Sequence, residues 1–328
     1  MTVARINLIL AVALAVALIA ALTLGEVGLG GAQYLQAFSD PGSGPGLILW
    51  QVRAPRAVCA VAVGAALGLS GALMQGLLRN PLAEPGVLGV SATASLGGAL
   101  VLVAGAGMVT GAVELASMAG AGIGAAALVA FAARIRAPEA LILFGVALSS
   151  FAGAATALIF NLSPSPIATA EVMAWLLGSV QNRGWGDVLW VSAALVPAAV
   201  LAGLSAPGLK ALSLGDETAR TLGLPLDRLR LLALIAASLA AGAAVATAGV
   251  IGFVGLVAPH LVRASVRADP GRVLMPSALA GGLILVVADL MTRITPTDQE
   301  LKLGVFTALV GAPLFALIAW RAARAWRV

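Results

Sequence analysis

Leu231 to Ala258, LLALIAASLAAGAAVATAGVIGFVGLVA, is the stretch that decides how this chain is threaded. It is apolar throughout and longer than the roughly 20 residues that one membrane-spanning helix needs. It carries Gly249, Gly252 and Gly255 and runs into Pro259-His260. Glycine and proline interrupt helices, so the run is expected to divide near Gly249 to Gly252 and to come back as a short span ending by Arg267. If it did not divide, everything after it would lie on the opposite side of the bilayer.

The composition sets the class on both sides of this run. With 61% hydrophobic and 10% charged residues over 328 positions and a mean hydropathy of +1.05, the chain is an all-α polytopic membrane protein. The alternating ten-residue segments of a β-barrel are missing. Six further spans precede the dividing run: Ile6 to Leu24, Ala57 to Leu78, about Gly86 to Ala106, Ala112 to Ala133, Glu139 to Phe160, and Val188 to Ala206. Val273 to Arg293 and Leu303 to Trp320 follow it, which makes about ten transmembrane helices. The first run lacks a small-x-small cleavage site at Leu22-Thr23-Leu24-Gly25 and reads as a spanning helix rather than a signal peptide. Between the spans, Gly25 to Trp50 reads as a polar loop, Arg79 to Pro85 as a cytoplasmic loop, and Ala168 to Leu177 as a short helix against the bundle.

Charge asymmetry tests the division. With ten spans and both termini inside, fourteen of the nineteen Lys and Arg residues are cytoplasmic; Arg53, Arg56, Arg183, Arg293 and Lys302 are outside. With Leu231 to Ala258 as one span the split becomes ten against nine. The ten-span threading follows, and the net charge of +5 then reports basic cytoplasmic loops rather than nucleic-acid binding.

That threading places the longest charged segment, Leu209 to Arg230, in the cytoplasm. Ser213 and Asp216 have capping-box spacing, Asp216 and Glu217 suit a first helical turn, Arg220 a last turn, and Gly223 a C-cap. Pro225 can start a second helix. Leu212, Leu214, Ala219, Leu222, Leu224 and Leu226 fall between the charges, so the segment is either a solvated loop or an apolar, charge-rimmed knob offered to another molecule.

Four separated stretches carry a family resemblance. They are RAPRAVCAVAVGAALGLSGALMQGLLRNPLAEPGVLGVSATAS from Arg53, LGDETARTLGLP from Leu214, GVIGFVGLVAPHLVR from Gly249, and LGVFTALVGAPLFALI from Leu303. In this order they resemble the FecCD-type permease subunits of ABC importers for iron-siderophores, haem and vitamin B12. The resemblance implies a homodimer with a central pathway, built as one permease domain over residues 1–328 with a coupling segment at about 207–230. Leu214, Gly215, Asp216, Glu217, Ala219, Arg220, Leu222, Gly223 and Pro225 would then rest on an ATPase subunit. It also implies two such ATPase subunits binding ATP and Mg, a periplasmic substrate-binding protein, and a bacterial inner-membrane location. No cofactor or metal is expected in this chain.

The absences are consistent with that expectation. The glycine-rich phosphate loop ending in Lys-Ser or Lys-Thr is missing and the only lysines are Lys210 and Lys302, so the chain is expected not to be an enzyme. A secondary transporter, the competing class, would carry ionisable groups at mid-membrane depth, whereas Glu114 and Asp289 lie near the outer turns of their spans. An exporter would work without a binding protein. His260 and Cys59, one of each, build no metal site. On the outer side, Arg53 and Arg56 flank Pro55, and Arg293 lies one turn after Asp289 on the same face. Interfacial snorkelling is one reading of these arginines. They also match, residue by residue, positions at which the family's vitamin B12 members present arginines to acidic residues of a binding protein, and docking is the expectation drawn from that match.

Overall fold

The computed structural model describes residues 2–325 apart from 26, 87, 136, 222 and 296–300. In chain order the helices are α1 (Val3–Thr23), α2 (Gly31–Ser39), α3 (Gly44–Leu47), α4 (Ala54–Leu78), α5 (Val90–Val103), α6 (Ala112–Arg134) and α7 (Pro138–Leu162). There follow α8 (Pro166–Leu176), α9 (Trp185–Leu212), α10 (Asp216–Thr221), α11 (Leu226–Ala248), α12 (Val254–Arg263), α13 (Leu274–Ile294) and α14 (Leu303–Ala325). Among the described residues, seven helices are long and apolar enough to cross a membrane and three shorter apolar ones accompany them. The ten-helix threading agrees with that count.

The dividing run breaks where its glycines stand. α11 stops at Ala248, Gly249 takes φ +70 as its C-cap, and α12 restarts after Phe253. The expected polar loop at 25–50 is partly helical instead: α2 lies within it, and α3 passes through a π-helical turn, Ile48–Arg53, directly into α4. Pro55 fits there because the first turn of a helix has no use for its missing N–H.

α4 and α11 form the centre, 83% and 78% buried against 22% for α1, α6 and α9. Their small residues explain it, because helices in lipid gain stability by close backbone approach. A methyl group on Gly64 would overlap the Gly281 carbonyl of α13, one on Gly68 the Ser277 carbonyl, and one on Gly71 the Gly255 carbonyl of α12. Gly120 and Gly124 press α6 onto Thr93 of α5 in the same way. The glycine pairs Gly64/Gly68 and Gly120/Gly124, each spaced by four, therefore mark real crossings.

The Arg79 to Pro85 expectation is corrected. Between Arg79 and Val90 the chain does not stay at the inner surface but climbs into the bundle through tight turns, with Ala83 N–H donating to Asn80 O and Gly89 N–H to Gly86 O. Gly89 packs on Leu148, some ten residues along α7 from its inner end, and Gly86 accepts a 3.2 Å hydrogen bond from Ser149. At 1.5 Å per helical residue that is about 15 Å of depth. α5 is correspondingly short, at 14 residues. Non-helical backbone at this depth is tolerated only when enclosed by protein or lining a wet cavity, and Ala83, Pro85 and Leu88 are buried.

Candidate functional site

Two groups of residues were expected to act, one at each end of the bundle. At the end of the bundle opposite α10, two of the three arginines, Arg53 and Arg293, reach the C-terminus of α1. A helix leaves its last carbonyls without intrahelical partners and carries partial negative charge there, and α1 has no basic residue of its own in its last turn. Arg53 supplies it from α4's side: its Nη1 donates to Leu22 O at 2.9 Å, to Thr23 O at 3.1 Å and to Tyr34 Oη at 2.8 Å, and its Nη2 donates to Val27 O. Arg293 donates from Nη1 to Ala21 O at 3.1 Å. Tyr34 closes the ring by donating to Thr23 O at 3.0 Å.

Asp289 joins the other two cations. Arg56 donates from Nε at 3.0 Å and Nη2 at 2.8 Å to Oδ1, and Arg293 Nη2 donates to Oδ2. The Asp289 side chain is 3% exposed and that of Arg56 13%. The predicted i, i+4 pairing of Asp289 with Arg293 is present. The picture of three exposed docking charges is corrected by these contacts. Arg53 is only 4% exposed and its guanidinium is committed to backbone carbonyls, so it ties α1 to α4. Arg56 keeps the most exposed side chain of the ion-paired cluster.

At the inner end, α10 sits between α9 and α11. Gly223 takes φ +76, its N–H donates to Arg220 O at 2.9 Å, and Leu224 N–H reaches back to Ala219 O at 3.3 Å. This double closure is the glycine C-cap expected from the sequence. The capping box is corrected. Ser213 stays in the helical region as the C-cap of α9, and its Oγ donates to Lys210 O at 2.6 Å. The chain leaves α9 through Gly215, at φ +100, whose carbonyl accepts the first bond of α10 from Ala219 N–H. The knob is also less greasy than its composition. Leu212, Ala219 and Leu226 are buried and anchor the turn, while Leu214 is 63% exposed beside exposed Glu217, Arg220, Gly223 and Pro225. Leu222 lies outside the described residues, and of Asp216 only the backbone is described.

Beneath α10, Lys210 and Arg272 approach Asp269 at 3.8 and 3.6 Å, tying α9 to the turn before α13. Glu84 was missed as a group of interest because its loop read as cytoplasmic. Its side chain is half-buried and folds back over Gly86, where a methyl group would come within 3.4 Å of its Oε1. The sequence signal was an acidic residue in a double-proline segment directly before a span. His260 lies in the last turn of α12, and among the described residues no group of three or more His, Cys, Asp or Glu side chains could hold a metal ion.

Among the described residues, ten apolar helices with two breaks, a polar turn at one end and a charge cluster at the other form the architecture of a multi-pass membrane bundle. The model of the FecCD transport family matches residues 13–321, and the chain belongs to that family. It is 39% identical over 280 residues to the vitamin B12 import system permease BtuC of Salmonella typhi, covering 85% of each chain. It is 38% identical over 286 residues to the ABC transporter permease YvrB of Bacillus subtilis, covering 85% of this chain and 80% of that one. A solved ABC transporter of metal-chelate type, in an inward-facing conformation, superposes with a TM-score of 0.87 at 30% identity, over 97% of this chain and 99% of the other. The protein is thus a multi-pass ABC importer permease, a transport subunit rather than an enzyme.

Proposed function

We propose that this permease forms a homodimeric pathway that takes a metal chelate, a ferric siderophore, haem or a cobalamin, from a periplasmic binding protein. It delivers the solute to the cytoplasm of a bacterium whose inner membrane holds it with both termini inside. Two separate ATPase subunits, binding ATP and Mg, drive it through α10. The observation that carries this reading is the build of α10 itself: a short polar turn, anchored by Leu212, Ala219 and Leu226 and held by two positive-φ glycines. Such a turn can pass a push on its outer face to α9 and α11 without melting. At the outer rim, Arg56 and Arg293 meet at the carboxylate of Asp289. This cluster is the docking face for acidic residues of a binding protein, with Arg56 as the contacting cation and Arg53 holding α1 behind it. Whether uptake requires a separate ATPase, and stops on ATP depletion while the proton gradient is kept, tests the energy source. An absorption spectrum of the complex purified with its solute separates haem, corrin and ferric siderophore. Uptake that persists without ATP would instead support a proton-coupled transporter, for which Glu84 is the group at the required depth.

A further inference from the structure

We propose that the groove between α6 and α11 binds one anionic phospholipid of the inner leaflet, with its headgroup at Arg228 and an acyl chain running along α6. α11 is buried at the centre of the bundle, yet Leu231, Ile235 and Leu239, spaced by four, stay partly open. Together with Gly122, Ala126 and Val129 of α6 they line a cavity of about 320 Å³, and apart from Ser238 its lining is apolar. Gly122 and Ala126 carry almost no side chain, which hollows the α6 wall: a methyl group on Gly122 would meet no atom within 4 Å. Most of α6 faces out of the protein, with 22% of it buried, so lipid has access to this groove.

The inner end of the groove opens into a second cavity of about 340 Å³, continuous with the first through Val129 and Leu231. Ala133, Asp227, Arg228 and Arg230 line this mouth, and Arg134 follows in the last turn of α6. Arg228 is exposed and stands in the first turn of the 23-residue α11, where the helix dipole already places positive charge. Asp227 offsets part of that charge, and a phosphate at the mouth is favoured by the guanidinium and the dipole together. The depth selects a lipid chain over a helix. From Val129 to Met118 the apolar part runs eleven residues along α6, about 16 Å at 1.5 Å each, which is half of a hydrocarbon core roughly 30 Å thick. A spanning helix needs the whole width, whereas an acyl chain entering from the inner surface needs one leaflet. Basic clefts between spanning helices on the cytoplasmic side hold acidic lipid headgroups, and the distribution of basic residues assigns this end to that side.

The test uses the full chain in phosphatidylcholine nanodiscs, with the buried Cys59 replaced by Ala and a fluorophore on Ile123→Cys, a position 70% exposed beside the groove. A minor share of the lipid is phosphatidylglycerol or phosphatidylcholine brominated on its acyl chains, which quenches the fluorophore on contact. Brominated phosphatidylglycerol should quench with an apparent affinity at least about fivefold above that of brominated phosphatidylcholine, as an arginine at an anionic headgroup implies. The same fluorophore on Val12→Cys of α1, 56% exposed, should be quenched alike by both. Arg228→Gln should remove the preference at Ile123→Cys, Arg228→Lys should keep most of it, and Gly122→Leu, which fills the groove and leaves the arginines in place, should remove it as well. If Arg228→Gln fails to insert, Gly122→Leu decides, since a side chain there has room. Equal quenching by the two lipids at Ile123→Cys overturns the proposal, as does an equal preference at Val12→Cys, which is general attraction to a basic surface. A fluorophore that neither lipid quenches means that a helix of a second copy covers the groove, and a preference that survives both Arg228→Gln and Gly122→Leu puts the lipid elsewhere; each overturns it too. The quenching needs neither ATPase nor solute, so it stands or falls apart from the import reading.

Discussion

Asp289 shows how much one buried residue can hold in a chain with few charges. It sits between two arginines that reach it from different helices, and one of them also caps a third. Taking a carboxylate and two guanidiniums out of water is costly, and the arrangement survives because each is bonded. Removing the carboxylate leaves the cations without it in the same enclosed place. Asp289→Ala should therefore cost on the order of 3 to 5 kcal/mol, read as a lower unfolding midpoint of the purified chain in detergent, while Asp289→Glu should lose much less. If the midpoint of Asp289→Ala stays at the wild-type value, the cluster contributes no stability and its role is reduced to surface charge. The sequence disclosed the i, i+4 spacing of Asp289 and Arg293 because that pairing is local. It could not disclose Arg56 as their partner, since 233 positions separate Arg56 from Asp289 and only the packing of α4 on α13 joins them.

At the level of elements, helices and their ends were legible wherever the signal was periodic or a glycine sat at a positive φ. Gly249 and Gly223 are both found where the sequence put a stop. The errors share one cause. Ser213 is followed by an acidic residue three positions on, which is how a helix start reads, yet α9 continues to Leu212 because Leu209, Ala211 and Leu212 are buried against the bundle. Residues 79–85 read as an inner loop, and the span as starting at Gly86, because hydropathy cannot tell turns enclosed in protein from backbone in water or in a helix. The prediction belonging here concerns α10. Nothing crowds the Cα of Gly223, so a side chain there has room, but its φ of +76 costs an L-residue about 1 to 2 kcal/mol. Gly223→Trp should insert normally, lose most of its transport and uncouple ATPase stimulation from uptake. Normal values of both would exclude α10 as the coupling element.

For the whole molecule, the decisive quantity is which side each end of the bundle faces. The count of basic residues predicts α10 inside and α2 outside. Cysteines introduced at the exposed positions Ser213 and Ser39, in a background lacking Cys59, read this directly. In right-side-out vesicles an impermeant maleimide should label Ser39→Cys and leave Ser213→Cys untouched until the membrane is opened. The reverse pattern would invert the threading and with it the assignment of the coupling and docking faces. Ten spans were countable from the sequence because each is a run of apolar residues. The enclosure of α4 and α11 was not, since their composition hardly differs from that of the lipid-facing helices and only close glycine contacts set them apart.

The arginine that reaches back to α1 has a consequence for the order of biosynthesis. Arg53 meets the carbonyls of Leu22 and Thr23 soon after α4 leaves the ribosome, whereas Asp289 follows Arg56 by 233 residues. At roughly 5 to 20 residues per second, that interval is on the order of 10 to 50 seconds. Throughout it the early helices sit in the membrane without the carboxylate that later joins α4 to α13. The outer seam therefore closes last, and the nascent permease passes the insertion machinery as an open half-bundle that its ninth span locks.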